Sequence, residues 1–122
     1  MNYTPGTVLA VDFGPFKHVG LWTEIGTVIS NSKKSGCVQE EDIHAFSGGR
    51  PIEVIGYIGN LAPADVIRRA RSKIGTKWNL LKNNCEHFVH EIHGQSKKSP
   101  QLMKWGIAFT LIIGVVLLMW RK

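Results

Sequence analysis

Cys85 is the residue on which a chemistry can be built. It opens the run CEHFVHEIH, which has helical spacing of apolar residues and stops at Gly94, with Asn84 just ahead as a natural N-cap. A cysteine in the first turn of a helix lies at the positive end of the macrodipole, which favours the thiolate. The backbone N–H groups there are placed to hold an oxyanion. That is the setting of a covalent nucleophile, and such a thiol also needs a base. His18, in FKHVGLW, is the one histidine that falls on an early strand. A separation of 67 positions carries no pairing information of its own.

The remaining polar residues read more plainly. His87 points to another side of the helix from Cys85 and is read as structural. His87, His90 and His93 form an i, i+3, i+6 row without closure by cysteine or carboxylate, so no metal site is read, and nothing implies a cofactor. His93 is expected to partner the last carbonyls of its helix. Cys37, in SGCV, lacks helix-start placement and reads as an ordinary small residue. Arg68, Arg69, Arg71 and Lys73 read as a solvated face.

The elements that must position Cys85 and His18 follow from turn signals and short apolar runs. Strands are expected over 6–11, 17–22, 27–30, 37–39 and 52–58, the second and third joined as a hairpin across 24–26. Helix signals come only afterwards. Pro63 and Asp65 suit a first turn of a helix ending at Gly75 as C-cap, and the second helix starts at Cys85. Strands first, helices later and no βαβ alternation give an α+β fold with an antiparallel sheet and packed helices.

Charge and hydropathy divide the 122 residues unevenly. The formal charge of +6 would suggest nucleic acid. However, residues 1–94 hold ten bases against nine acids, and the excess lies in Lys97, Lys98, Lys104, Arg121 and Lys122. No nucleic-acid partner is therefore read. The run from Trp105 to Trp120, WGIAFTLIIGVVLLMW, is sixteen residues without a charge. As a helix it spans about 24 Å, with tryptophans at both ends and basic residues beyond them. It reads as a C-terminal transmembrane or membrane-inserted anchor over 105–120, preceded by a basic linker over 95–104 whose lysines favour anionic lipid. The N-terminal MNYTPGTVLAVDFG has no basic flank and carries Asp12, so no secretory signal is read there. Two cysteines suit a reducing compartment, which puts residues 1–94 on the cytosolic side of a membrane.

FKHVGLW followed by NNCEHF resembles the lecithin:retinol acyltransferase-like family, a permuted branch of the NlpC/P60 papain-like fold. The likeness runs through PGTVLAVDFGPFKHVGLW, VISNSKKSG and KWNLLKNNCEHFVHEIHG, most of residues 4–94. The hydrophobic C-terminal run looks like that of its small phospholipase/acyltransferase members. The resemblance implies that Cys85 takes an acyl group as a thioester and that His18 is the general base. It also places a third polar residue, often a histidine, twelve positions after the first, where this chain has Ser30. Serine orients an imidazole less firmly than a second histidine or a carboxylate. Asn31 would serve better chemically, but strand alternation aims it at the other face. The implied activity is a membrane-tethered thiol acyltransferase or phospholipase A acting on membrane glycerophospholipid. The alternatives are a cysteine peptidase or amidase of the NlpC/P60 type, and a non-catalytic tethered scaffold.

Overall fold

A computed structural model describes residues 2–81, 83–95 and 100–104. The elements follow as β1 (Val8–Asp12), β2 (Lys17–Trp22), β3 (Thr27–Ser32), β4 (Cys37–Asp42), α1 (Ile43–Ser47), β5 (Ile52–Gly56), α2 (Pro63–Ser72) and α3 (Cys85–Ile92). The strands form one antiparallel sheet in the order β4-β3-β2-β1-β5. The α+β class and the antiparallel sheet thus stand as the sequence predicts.

Both faces of the sheet are covered, which explains why β1 is apolar and buried from Val8 to Val11 before it ends at Asp12. Val8, Ala10, Val19, Leu21, Ile29 and Val38 face Val66 and Ala70 of α2 and Phe88, Val89 and Ile92 of α3. On the other face, Leu9, Val11, Trp22 and Val28 pack with Phe46 of α1, joined by Tyr3, Ile43 and Ile52. Leu9, Leu21, Val28 and Ile29 are fully buried. At about 1.5–3 kcal/mol for each such side chain, these layers supply most of the drive to fold.

Two local expectations need correcting. Helices do not begin only after the last strand, because α1 lies between β4 and β5. Asp42 caps it by accepting from the Ala45 N–H at 2.8 Å, and Gly48 closes it in the left-handed region at φ 59°. Five residues are too few for a helical period to show, although both caps stand in the sequence. Nor does Gly75 cap α2, which ends at Ser72 with Lys73 as C-cap. The Gly75 N–H instead donates to the Val38 carbonyl at 2.8 Å and ties the exit of α2 to β4.

The anchor read at 105–120 lies outside the described residues, and among those described no helix is long and apolar enough to cross a membrane. Of the segment read as linker, residues 100–104 are helical. They are also hydrogen-bonded to the rest of the protein through Gln101, on Lys17 and on Glu86.

The feature that creates the site is an opening in the sheet. β1 pairs with β2 from Val8↔Leu21 to Asp12↔Lys17, and β3 pairs with β4 from Thr27↔Asp42 to Ser32↔Cys37. Between them, β2 and β3 pair only at Leu21↔Ile29 and Trp22↔Val28. The first half of β2 and the second half of β3 therefore separate. Gly20 lies at this divergence, where a Cβ would meet Val28 Cγ1 at 2.6 Å, Phe46 at 3.0 Å and Ser30 Cβ at 3.1 Å. Gly20→Ala is expected to cost about 1–3 kcal/mol through overpacking, read as a lower urea midpoint. An unchanged midpoint would contradict this packing.

Candidate active site

All four polar residues singled out around the chemistry border the opening: His18, Asn31 and Cys85 line one cavity there, and Ser30 backs His18. His18 is the second residue of β2. Its Nε2 lies 3.2 Å from Ser30 Oγ on β3, and its ring rests tilted on Phe46 with centroids 5.0 Å apart. Ser30 is fully buried, so the contact is sheltered from water. Asn31 is also fully buried but turns to the other side, where its Nδ2 donates to the Asn83 carbonyl at 2.7 Å. Strand alternation therefore holds, and Ser30 rather than Asn31 partners His18.

Cys85 is the first residue of α3, and the turn before it is fixed by side-chain amides. Asn84 accepts from the His87 N–H at 3.0 Å, while His87 Nδ1 accepts from the Asn84 N–H at 3.2 Å, a reciprocal capping box. His87 thus takes the place usual for Glu or Gln there, as a structural residue. Asn84 Nδ2 donates to the Leu80 carbonyl and Asn83 Nδ2 to the Lys77 carbonyl. These bonds hold the helix start against the open edge of β2.

That edge is a row of backbone groups turned toward the missing partner. Trp22 donates to the Thr7 carbonyl and the Phe16 carbonyl accepts from Phe13, so the even-numbered residues of β2 face β1. By alternation, Lys17 and Val19 turn their N–H and C=O groups into the opening. Cys85 Sγ lies 4.0 Å from the Lys17 carbonyl. A cavity of about 320 Å³ joins the parts, lined by His18, Asn31, Trp78, Asn84 and Cys85, with Phe16 at its wall. A larger groove of about 710 Å³ shares Phe16, Lys17, Glu86 and Gln101 with it but contains neither His18 nor Cys85.

Burial decides the charge state of the pair. His18 is pushed down to about 4 by loss of solvent. The Cys85 thiol is pushed above its ordinary range, because burial outweighs the N–H groups of Val19, Cys85 and Glu86 that favour the thiolate. The helix start alone predicts a lowered thiol, but here it opposes a larger effect. Both shifts favour the uncharged forms, thiol and imidazole, over a resting ion pair.

A family model described as Lecithin retinol acyltransferase matches residues 2–97. This chain belongs to the lecithin retinol acyltransferase family. The mouse protein named lecithin retinol acyltransferase is 32% identical over 99 residues, covering 70% of this chain and 43% of that protein. The chain thus spans under half the length of the curated relative it matches. The family match contains His18, Ser30 and Cys85 and stops short of Gln101.

Other sequence expectations at this family's site come out differently. His93 does not serve the carbonyls of α3. Its Nε2 lies 2.8 Å from the Gly6 carbonyl and its ring meets Tyr57 edge-on. His90 pairs with Gln95 at 2.8 Å, so the three histidines of α3 and its cap go separate ways. The basic face of α2 is not simply solvated: Arg71 bridges Glu24 and Glu40, and Arg69 donates to the carbonyls of Ile92 and Glu91. Sequence reasoning missed Phe46, the Lys17 edge and Gln101, none of which carries a local signal.

The neutral pair has a measurable pH signature. Because the unfolded chain binds a proton at His18 near its ordinary 6.5 and the folded one only near 4, stability is full above about 6.5 and falls as pH drops toward 4. The urea midpoint is expected to show this decline, and His18→Gln to reduce it. Alkylation of Cys85 by iodoacetamide is expected to be slow at pH 7 and to keep rising above about 8.5. A rate already level at pH 7 would contradict a raised, partly buried thiol.

Proposed function

We propose that this chain is a membrane-tethered thiol acyltransferase or phospholipase A that works through an acyl-thioester on Cys85, with His18 as general base. The observation that carries the reading is that Cys85, at a helix start, and His18, backed by Ser30, line one small, largely apolar cavity. Membership of a family described by an acyltransferase supports the reaction class. The name of the mouse relative points to lecithin, a glycerophospholipid, as acyl donor. The apolar groove beside the site, with Ile55, Ile58 and Val89 in its walls, suits a fatty chain. The uncharged run at 105–120 supports a tether that keeps the site at the lipid surface, with the catalytic domain on the cytosolic side.

The steps follow from a neutral pair. As Cys85 sulfur attacks the ester carbonyl, His18 takes the thiol proton, so charge develops only along the reaction. The tetrahedral oxyanion is stabilised by N–H groups at the start of α3. The carbon–oxygen bond then breaks, His18 returns its proton to the lysolipid oxygen, and the acyl group stays on sulfur. In the second half, His18 takes a proton from water, an amine or a lysolipid, whose attack on the thioester breaks the carbon–sulfur bond, and His18 returns the proton to the departing Cys85 sulfur. Ser30 steadies the ring with a single hydrogen bond.

The full chain in phosphatidylcholine mixed micelles is expected to release or transfer fatty acid. Cys85→Ala should abolish turnover, and His18→Ala should lower it about 10²–10⁴-fold. Ser30→Ala should lower it only about fivefold, as one hydrogen bond near 1 kcal/mol implies. Cys85-dependent peptide cleavage without lipid turnover would overturn the reading in favour of a peptidase. Unreactive lipid together with an acyl probe that never labels Cys85 would overturn it in favour of a scaffold.

A further inference from the structure

One residue outside the Cys/His domain is bonded to both halves of the site. Gln101 Oε1 accepts from the Lys17 N–H at 3.1 Å, and Gln101 Nε2 donates to the Lys17 carbonyl at 3.1 Å. Its own backbone N–H donates to Glu86 Oε1, also at 3.1 Å. Lys17 immediately precedes His18, and Glu86 immediately follows Cys85. Three hydrogen bonds from one residue therefore link the strand that carries the base to the helix that carries the nucleophile.

The chemistry of the side chain explains the fit. A primary amide offers one acceptor and donors side by side, the same pattern as a peptide unit. At the opening, β2 presents the N–H and C=O of Lys17 without a strand opposite them. The Gln101 amide answers both groups, as a paired strand would. The same Lys17 carbonyl lies 4.0 Å from Cys85 Sγ, so the clamp reaches the edge on which the thiol rests. Glu86 is itself favoured at its place by the N-terminal end of α3, which makes it a firm second attachment. Gln101 lines both the reaction cavity and the adjoining groove, and Leu102 lines the cavity beside it.

We propose that Gln101 is a positioning residue that sets the separation and register of Cys85 and His18, acting from the helical segment at 100–104. The proposal rests on the Cys85–His18 reading above. It assigns Gln101 no contact with substrate. Its effect passes through Lys17 to the base and through Glu86 to the nucleophile.

The test is a double-variant cycle on the full chain in detergent micelles, read by turnover of a soluble short-chain acyl ester and by iodoacetamide alkylation of Cys85. Gln101→Ala is expected to lower kcat at least tenfold with KM changed less than twofold. It should also slow alkylation to the level of His18→Ala. Gln101→Glu, which keeps the acceptor for the Lys17 N–H but loses the donor to the Lys17 carbonyl, should fall between. The decisive prediction is that Gln101→Ala adds no further loss in a His18→Ala background, because the clamp acts through the pair. Native kcat in Gln101→Ala would overturn the proposal, as would losses that multiply in the double variant. A lowered melting temperature with native kcat measured well below it would also do so. Turnover that survives Cys85→Ala would instead refute the functional reading, and the alkylation cycle alone would then decide whether the clamp exists.

Discussion

The site depends on a gap in a hydrogen-bond ladder. A strand whose N–H and C=O groups lose their ladder partners finds others for them, in side chains or in water. β2 pairs fully with β1 but meets β3 at only two registers, so the groups of Lys17 and Val19 need other partners. They receive them from outside the sheet: the Gln101 amide bonds Lys17, and the Cys85 thiol approaches the Lys17 carbonyl. The same separation makes room for His18 to reach across to Ser30 rather than lie flat against a neighbouring strand. A fully paired sheet would exclude the thiol, while a wider gap would flood the pair with water.

Enclosure sets the electrostatics. The start of α3 is a favourable place for a thiolate, yet burial raises the thiol and lowers the imidazole, and burial is the larger effect on each. A preformed thiolate–imidazolium pair would require two charges in a cavity of about 320 Å³ whose walls mix Phe16, Trp78 and Leu80 with Lys33, Asn84 and Glu86. A neutral pair avoids that cost and moves its proton only when a carbonyl carbon is within reach. The modest third residue is consistent with this arrangement. A neutral imidazole needs to be oriented, and a buried serine hydroxyl orients it without adding charge. The reciprocal capping of Asn84 and His87 performs the parallel task for the nucleophile, fixing the first turn of α3 through short-range bonds.

Much of this was legible in the sequence because it is encoded locally. Five short strands, the hairpin between β2 and β3, the N-cap at Asn84 and the register of Ser30 against Asn31 all follow from periodicity and turn chemistry within a few residues. What failed was encoded elsewhere. α1 is shorter than a helical period needs in order to show, and Gly75 serves a contact with β4 that α2 itself cannot reveal. His93 is drawn from its helix end by the Gly6 carbonyl, 87 positions away. Arg69 and Arg71 look solvated until the carbonyls of α3 and the carboxylates of Glu24 and Glu40 are brought beside them. The electrostatics of Cys85 divide in the same way: the helix-start N–H groups that favour the thiolate are readable from the sequence, while the burial that opposes them is a property of the assembled fold. Gln101 is the extreme case, since an amide 84 positions distant gives no sign that it will stand in for a strand.

The central claim is that the opening between β2 and β3 makes Cys85 an acyl carrier. Its most direct test is mass spectrometry of the full chain, quenched in acid during turnover of diacyl phosphatidylcholine. The account predicts an added fatty-acyl mass that maps to the peptide containing Cys85, is cleaved by hydroxylamine as a thioester, and accumulates transiently. Continued turnover with no adduct on Cys85, or with the acyl group on another residue, would contradict it.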